Sequence, residues 1–365
     1  MATYYVSATT NAGSPDGLTA ATAYASVTTL MSSGPGLAAG DNIYIAPGTY
    51  REQIDCTAEA VSGTADEPIR WIGDPNCENF PGIQPGIVRF TLADANELAR
   101  HDDDFATSMI LDARNVAYHY FYNLYLDGGT ADSADPSTHL TLAGVYGNDT
   151  TNDYISCFNC HFQQLTRAAV TIYKVEDCTF ICNGYAGPYA VRIIERCIVI
   201  GGYYCVFNCE EVSNSLIVGG GNMCTYNTTA VINCTVAAGR IGLYSTATTD
   251  YAWNCHLWGL GNAIQANATS KMTVSGSRID GIYQVANKGQ YNRIEHGGGN
   301  SSLTDQNSPG GTNTKVKKPI VLWTQEQVRE IANSFSPNFL NESLRGLGEE
   351  TFLRGAGTGV YTAYS

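Results

Sequence analysis

Asn159-Cys160-His161-Phe162 returns along the chain as Asp177-Cys178-Thr179-Phe180, Arg196-Cys197-Ile198-Val199, Asn214-Ser215-Leu216-Ile217, Asn233-Cys234-Thr235-Val236, Asn254-Cys255-His256-Leu257 and Gly276-Ser277-Arg278-Ile279. From each Cys or Ser to the next the steps are 18, 19, 18, 19, 21 and 22 residues. A small residue followed two positions later by Phe, Val, Ile or Leu is the alternation of a strand with one face inward. A period near 20 is too short for a helix pair or a propeller blade. It fits one turn of a coil whose strands stack on their own copies, a parallel β-helix. The expected fold class is therefore all-β, a single solenoid of about a dozen coils.

The totals agree with such a coil. Charged residues make up 15% of the 365, below the ~25% of ordinary domains, while Gly numbers 38 and Tyr 23. Few charges and many Gly suit close-set strands with short turns. A net charge of −14 argues against binding nucleic-acid phosphates. No segment reaches the ~20 apolar residues that would span a membrane. The first residues, Met1-Ala-Thr-Tyr-Tyr-Val-Ser7, carry no basic region, apolar segment or cleavage site. They read as the start of a strand rather than a secretion signal.

Of the twelve cysteines, only Cys157 and Cys160 form a CxxC, and no second CxxC completes a zinc site. Cys160, Cys178, Cys197, Cys234 and Cys255 occupy the repeat position. Coils stacked ~4.8 Å apart align them as a column of buried, weakly polar thiols. Ser215 and Ser277 stand in the same column, a replacement that a structural thiol tolerates and a metal ligand does not. No metal or cofactor is expected. His161 and His256 follow column cysteines and should point outward.

The N-terminal region carries a resemblance. Tyr4-Tyr-Val-Ser7 is followed by Asp16-Gly-Leu18 and Ala21-Thr-Ala-Tyr-Ala-Ser26, and then by Gly40-Asp-Asn-Ile-Tyr-Ile-Ala-Pro-Gly-Thr-Tyr50 and Ser62-Gly-Thr-Ala-Asp-Glu-Pro-Ile69. This resembles the opening of right-handed parallel β-helix proteins of the pectate-lyase-like superfamily. The resemblance implies a right-handed coil with a short N-terminal cap helix. It leaves the activity open, because that superfamily includes lyases, hydrolases, epimerases, adhesins and phage surface proteins. The cap helix should lie within 24–33, with Val27, Leu30 and Met31 on one side, where it covers an otherwise unpaired strand edge.

Residues 1–295 are thus expected to form the coil. Residues 296–317, rich in Gly, Ser and Asn, read as a linker. In 318–365, Thr324-Gln-Glu-Gln327 is a capping box opening a short helix, and an irregular tail follows. Trp323, Phe335, Phe339, Phe352 and Tyr361 have too few apolar neighbours in sequence for a core of their own. They point to packing on the coil or to assembly, as a homo-oligomer (a trimer favoured) or onto a capsid or tail protein.

The search for chemistry starts from motifs that the resemblance would imply. Gly-His-Gly and Arg-x-Lys, the marks of its polygalacturonase-type members, are absent. No cluster of aspartates on successive turns beside a basic residue matches its calcium-dependent lyases. A carboxylate pair remains, since glycoside hydrolysis needs two acids ~5–10 Å apart. Asp112 and Asp127 are the best placed, with Asp103 and Asp104 approaching from a loop at 93–107. The competing reading is that these acids cap turns. Alternation puts Arg192 and Arg196 on one side and Glu195 on the other, solvated faces both. The same rule points Tyr125 outward and Tyr118, Tyr120 and Tyr122 inward unless a turn intervenes. Exposed rings among them could stack on a polysaccharide.

These features favour a non-enzymatic structural or adhesive protein of a virion surface, such as a phage decoration, fibre or spike component. The alternative is a polysaccharide lyase or glycoside hydrolase, and a third is a bacterial surface adhesin, secreted if a signal was removed.

Overall fold

Why the repeat takes its form is clear from the turn that precedes each column residue. In a computed structural model of the chain, Asn123, Asn159, Asp177, Arg196, Asn214, Asn233 and Asn254 all have φ between 50° and 57°. This is the left-handed region, which Asn and Asp enter more readily than other non-glycine residues. Each such residue bends the chain from one strand into the next. The structure describes residues 1–9, 14–59, 61–93, 109–129, 143–148, 154–182, 185–219, 221–246, 250–266, 271–275, 277–285, 293–296 and 301–302. Within them the fold is a right-handed parallel β-helix with three strands per coil. The chain divides into two units, Met1–Arg192 and Ile193–Ser365, a division that falls inside the span the sequence reads as one coil.

In the first unit, one face stacks Thr3–Val6, Asn42–Ile45, Ile69–Gly73, His119–Tyr122, Ser156–Phe158 and Lys174–Glu176. Its inward ladder runs Tyr4, Ile43, Trp71, Phe121, Cys157, Val175, in register and buried. A second face stacks Gly48–Tyr50, Val88–Thr91, Tyr125–Asp127, His161–Gln163 and Thr179–Cys182. Its inward rings stack on one another, Tyr50 on Phe90 at 4.9 Å and Phe162 on Phe180 at 4.6 Å. The third face stacks Ile54–Asp55, Met109–Asp112, Ala143–Tyr146, Arg167–Val170 and Ala186–Tyr189. Fully burying each large apolar side chain contributes about 1.5–3 kcal/mol, and the ladder repeats that gain at every coil.

The second unit keeps the plan with slimmer residues. Its first-face ladder is Ile194, Val212, Val231, Ala252, Val274. The second and third faces begin as separate strands, Ile198–Gly201 and Tyr204–Phe207, then Leu216–Val218 and Met223–Tyr226. They fuse into Thr235–Ser245 and His256–Ala266, which bend through register shifts.

The cap helix is shorter than expected, Val27–Ser33. Tyr24 is held in a parallel bridge to Val6, so the helix cannot start before Ser26. The Ser26 hydroxyl accepts from the Thr29 N–H at 3.0 Å, and the Glu52 carboxylate accepts from the Val27 and Thr28 N–H groups at 2.9 and 2.8 Å. These contacts satisfy the free donors of the first turn. Val27 and Leu30 are buried, and the helix packs against Ile54–Asp55.

The left-handed turns correct two outward-inward expectations. A left-handed residue resets the alternation. Asn123 does so between Tyr122 and Leu124, so Tyr120 and Tyr122 face outward while Phe121 is buried. Arg196 does the same, so its guanidinium turns back to Glu195 and pairs with it at 2.8 Å instead of facing the opposite side.

Candidate functional site

The column residues show why Cys and Ser interchange. Each uses its S–H or O–H to donate to the carbonyl two residues before it. In the first unit Cys160 donates to Phe158 at 3.4 Å and Cys178 to Glu176 at 3.3 Å. In the second, Cys197 donates to Glu195 at 3.2 Å, Ser215 to Ser213 at 2.7 Å, Cys234 to Ile232 at 3.2 Å and Cys255 to Trp253 at 3.2 Å. The same atom accepts from the coil before it: Cys178 Sγ from Cys160 N–H, Ser215 Oγ from Cys197 N–H, and Ser277 Oγ from Cys255 N–H. The left-handed turn exposes one carbonyl and one N–H at the core's edge, and a small donor-acceptor side chain satisfies both. All five thiols of the column are unbridged and buried. Burial pushes the Cys255 thiol up to about 12, so it keeps the proton that it donates.

Beside the column runs a second ladder. Asn159 Nδ2 donates to Asn123 Oδ1 at 2.9 Å in the first unit. In the second, Asn233 donates to Asn214 at 3.3 Å and Asn254 to Asn233 at 2.8 Å. The sequence displays this Asn-Cys pair, but its meaning needs the φ angle.

Asp127 ends a strand of the second face and is buried. Arg89, one coil earlier, reaches its Oδ2 with Nε at 3.0 Å and Nη2 at 2.8 Å, while the Gly129 N–H donates to Oδ1 at 2.9 Å. Register sets Gln163 beside Asp127, and Arg89 and His161 on either side of Tyr125. The Tyr125 hydroxyl donates to Gln163 Oε1, and the His161 ring stacks on Tyr125 at 4.4 Å. Burial, and next the Asp127 charge, push the Tyr125 phenol up to about 12. Burial lowers the His161 pKa, against the opposing pull of Gln163 and Asp127. His161 does face outward, as alternation predicts, but it is half-buried in this cluster.

Asp112 ends a strand of the third face. Arg114 grips it as a fork, Nε to Oδ1 at 3.0 Å and Nη2 to Oδ2 at 2.8 Å, and the Arg114 N–H adds a third bond at 3.1 Å. The side-chain fork to Asp112 raises the Arg114 pKa, and the guanidinium lies over Tyr146, 5.6 Å from its centroid. Asp55 pairs in register with Asp112 and caps its own turn through the Thr57 N–H at 2.9 Å.

The structure thus sets Asp112 and Asp127 at strand ends on different faces, each with its own arginine. Asp103 and Asp104 lie outside the described residues, as do Trp323, Phe335, Phe339, Phe352 and Tyr361. Motif matching misses Arg89, Tyr125, His161 and Gln163, because only the register between coils brings them together. The even step of the repeat does not find them, because each lies 36 to 38 residues from its partner in the adjacent coil, a single turn lengthened by an insertion.

No protein-family model matches the chain, and no curated protein does. Among solved structures it is similar to pectate lyase Pel9A, with 11% identity over 79% of this chain and 78% of that one, TM-score 0.42. It is similar to the pectin methylesterase PemA from Erwinia chrysanthemi, with 12% identity over 93% and 97%, TM-score 0.39. It is also similar to the enzymatically active domain of tailspike protein 2 of bacteriophage CBA120, with 11% identity over 82% of this chain and 46% of that one, TM-score 0.32. Likeness at this level carries no activity across. The solved structures that the chain resembles are right-handed parallel β-helix proteins of the pectate-lyase-like kind.

Proposed function

We propose that the protein is a non-catalytic structural or adhesive component of a surface assembly, a virion's surface being the setting that the sequence favours. The observation that carries this is the state of the two strand-end carboxyls. Asp112 accepts hydrogen bonds on both oxygens from Arg114, and Asp127 accepts on both from Arg89 and Gly129. Both oxygens of each carboxyl are thus committed to arginine and backbone N–H partners, whereas glycoside cleavage needs two carboxyls turned toward the substrate. Both carboxyls instead hold turns and strand ends, the work that a long stack of coils needs. Incubation with acidic and neutral polysaccharides should release neither reducing ends nor unsaturated products.

The second reading, a polysaccharide lyase or hydrolase, is favoured by the cluster around Asp127. There a carboxylate, a half-buried imidazole, a phenol and an amide converge on an outer sheet face. Burial favours the neutral imidazole, the form in which His161 could take a proton. Turnover that disappears in both Asp127→Asn and His161→Gln would establish that reading and refute the first.

A further inference from the structure

Among the described residues, several outward rings stack on rings of the next coil. In the first unit Tyr122 lies 4.9 Å from Phe158, and Tyr118 lies 4.8 Å from Tyr154. In the second unit Phe207 lies 4.6 Å from Tyr226, which lies 5.3 Å from Tyr244. Their faces are occupied. Tyr251 and Trp253 depart from this rule. They stand two residues apart on Asp250–Trp253, ~6.6 Å along the strand, with the buried Ala252 between them. Tyr251 is 42% exposed and Trp253 59%. The register partners of Tyr251 are Ala230 and Thr273, and those of Trp253 are Ile232 and Ser275, none of them a ring. Among the described residues no ring stacks on either.

The backbone beneath them is fixed. The Tyr251 N–H donates to Thr229 at 2.9 Å. The Trp253 carbonyl accepts from the Asn233 N–H at 2.9 Å and from Cys255 Sγ at 3.2 Å. Little ordering is left to be done on binding. Next to Trp253 stands the amide ladder. Asn254 uses one N–H to reach Asn233 at 2.8 Å, and its Oδ1 has no partner among the described residues. An amide offers two donors and two lone pairs, so hydrogen-bonding capacity remains at the edge of the ring pair.

We propose that Tyr251 and Trp253 form a stacking platform for a neutral sugar ring of a polysaccharide, with the Asn254 amide bonding one of its hydroxyls. This rests on the adhesive part of the proposed function and gives it a site and a ligand class. A pyranose has an apolar C–H face that suits a ring's π-cloud and a rim of hydroxyls that suits an amide. Size argues against a protein partner. The exposed ring surface is about 150–250 Å², taking 150–250 Å² per ring, far below the ~800 Å² per partner of a stable protein interface. Charge argues against an acidic sugar. Glu211 lies on the same register line as Ala230 and Tyr251, and the chain carries −14 overall.

The test is calorimetric titration of the full chain with neutral gluco-, galacto-, manno- and N-acetylglucosamine oligosaccharides. At least one series should bind. Trp253→Ala should weaken it tenfold or more and Tyr251→Ala several-fold, while Trp253→Phe keeps most of the affinity. Tyr203→Ala, which removes an exposed ring elsewhere, should leave binding unchanged. Circular dichroism should stay constant, since both rings lie outside the core. If the oligosaccharides bind equally well to the Trp253→Ala and Tyr251→Ala proteins, the platform is wrong and the adhesive reading stands. If the unaltered protein binds none of them, platform and adhesion both fall. Self-association abolished by Trp253→Ala, without sugar binding, would assign the rings to a second copy of the chain and overturn the proposal.

Discussion

Lowering the pH from 7.5 to 4.5 should destabilise the first unit, most of all through His119. It lies on the first face, 1% exposed, and both ring nitrogens are committed. Trp71 Nε1, which can only donate, reaches His119 Nδ1 at 3.2 Å, so Nδ1 is the acceptor. Nε2 lies 2.8 Å from the Val61 carbonyl and must therefore carry the hydrogen. A second proton would have to sit on Nδ1, facing the Trp71 N–H. Burial lowers the His119 pKa to about 4, with the Val61 bond opposing. The unfolded chain titrates near 6.5. Between these values the unfolded state binds a proton that the folded state refuses, so stability falls as pH falls from about 6.5 to about 4 and levels off outside that window. The depth is about 3 kcal/mol, at 1.36 kcal/mol per pKa unit, and about 2 kcal/mol of it should be lost by pH 5. Urea unfolding of the native chain and of His119→Gln, at pH 7.5 and pH 5, isolates the effect. The variant should be weaker at pH 7.5, and its deficit should shrink by about 2 kcal/mol at pH 5, because Gln does not titrate. A deficit that stays constant between the two pH values, or a His119 imidazole resonance that titrates near 6.5 in the folded protein, would refute the reasoning.

Cys197→Ser should change stability by less than about 1 kcal/mol, whereas Cys197→Val, of similar size but without a donor, should cost about 1–3 kcal/mol by stranding the Glu195 carbonyl; equal effects in denaturant would remove the hydrogen-bond account of the column. Asn233→Ala should cost about 1–2 kcal/mol, since it strains a left-handed residue and cuts the amide ladder on both sides, and Asn233→Gly should recover the strain part. Arg89→Met should destabilise the first unit by about 3 kcal/mol by leaving the buried Asp127 carboxylate without its cation, and Asp127→Asn in the same chain should restore part of that in thermal unfolding. Deleting 318–365 should abolish oligomers in sedimentation while leaving unfolding of the coil unchanged; retained oligomers with a lowered melting temperature would locate the segment's role in the coil itself.

The coil was legible because it repeats. Phe162 and Phe180, or Val236 and Leu257, recur at a step that only a stacked turn explains, and one copy checks the next. Even the chemistry of the column could be read, since Ser215 among cysteines marks a position that needs a small polar side chain. The faces were less legible, for a local reason. Alternation holds only while the backbone stays extended, and a single left-handed residue such as Asn123 reverses which side Tyr122 and Leu124 take. Asn can enter that region but does not have to, so its identity alone does not report the turn. Arg196 takes the same conformation without even that hint.

The site is harder still, because its partners are set by register rather than by order in the chain. Arg89 meets Asp127 across 38 residues and Tyr125 meets His161 across 36. The interval holds two insertions, around 94–108 and 130–142, that break the even step by which the later coils can be counted. Where the step is even, as between Asn214, Asn233 and Asn254, counting alone predicts the neighbours, and the amide ladder follows from it. The same count places Ala230 and Ile232 beside Tyr251 and Trp253. An exposed pair of rings without ring neighbours could therefore be found from the sequence once the turn at each Asn is known, and that turn decides whether a ring in this fold is stacking against its own coil or free to meet a ligand.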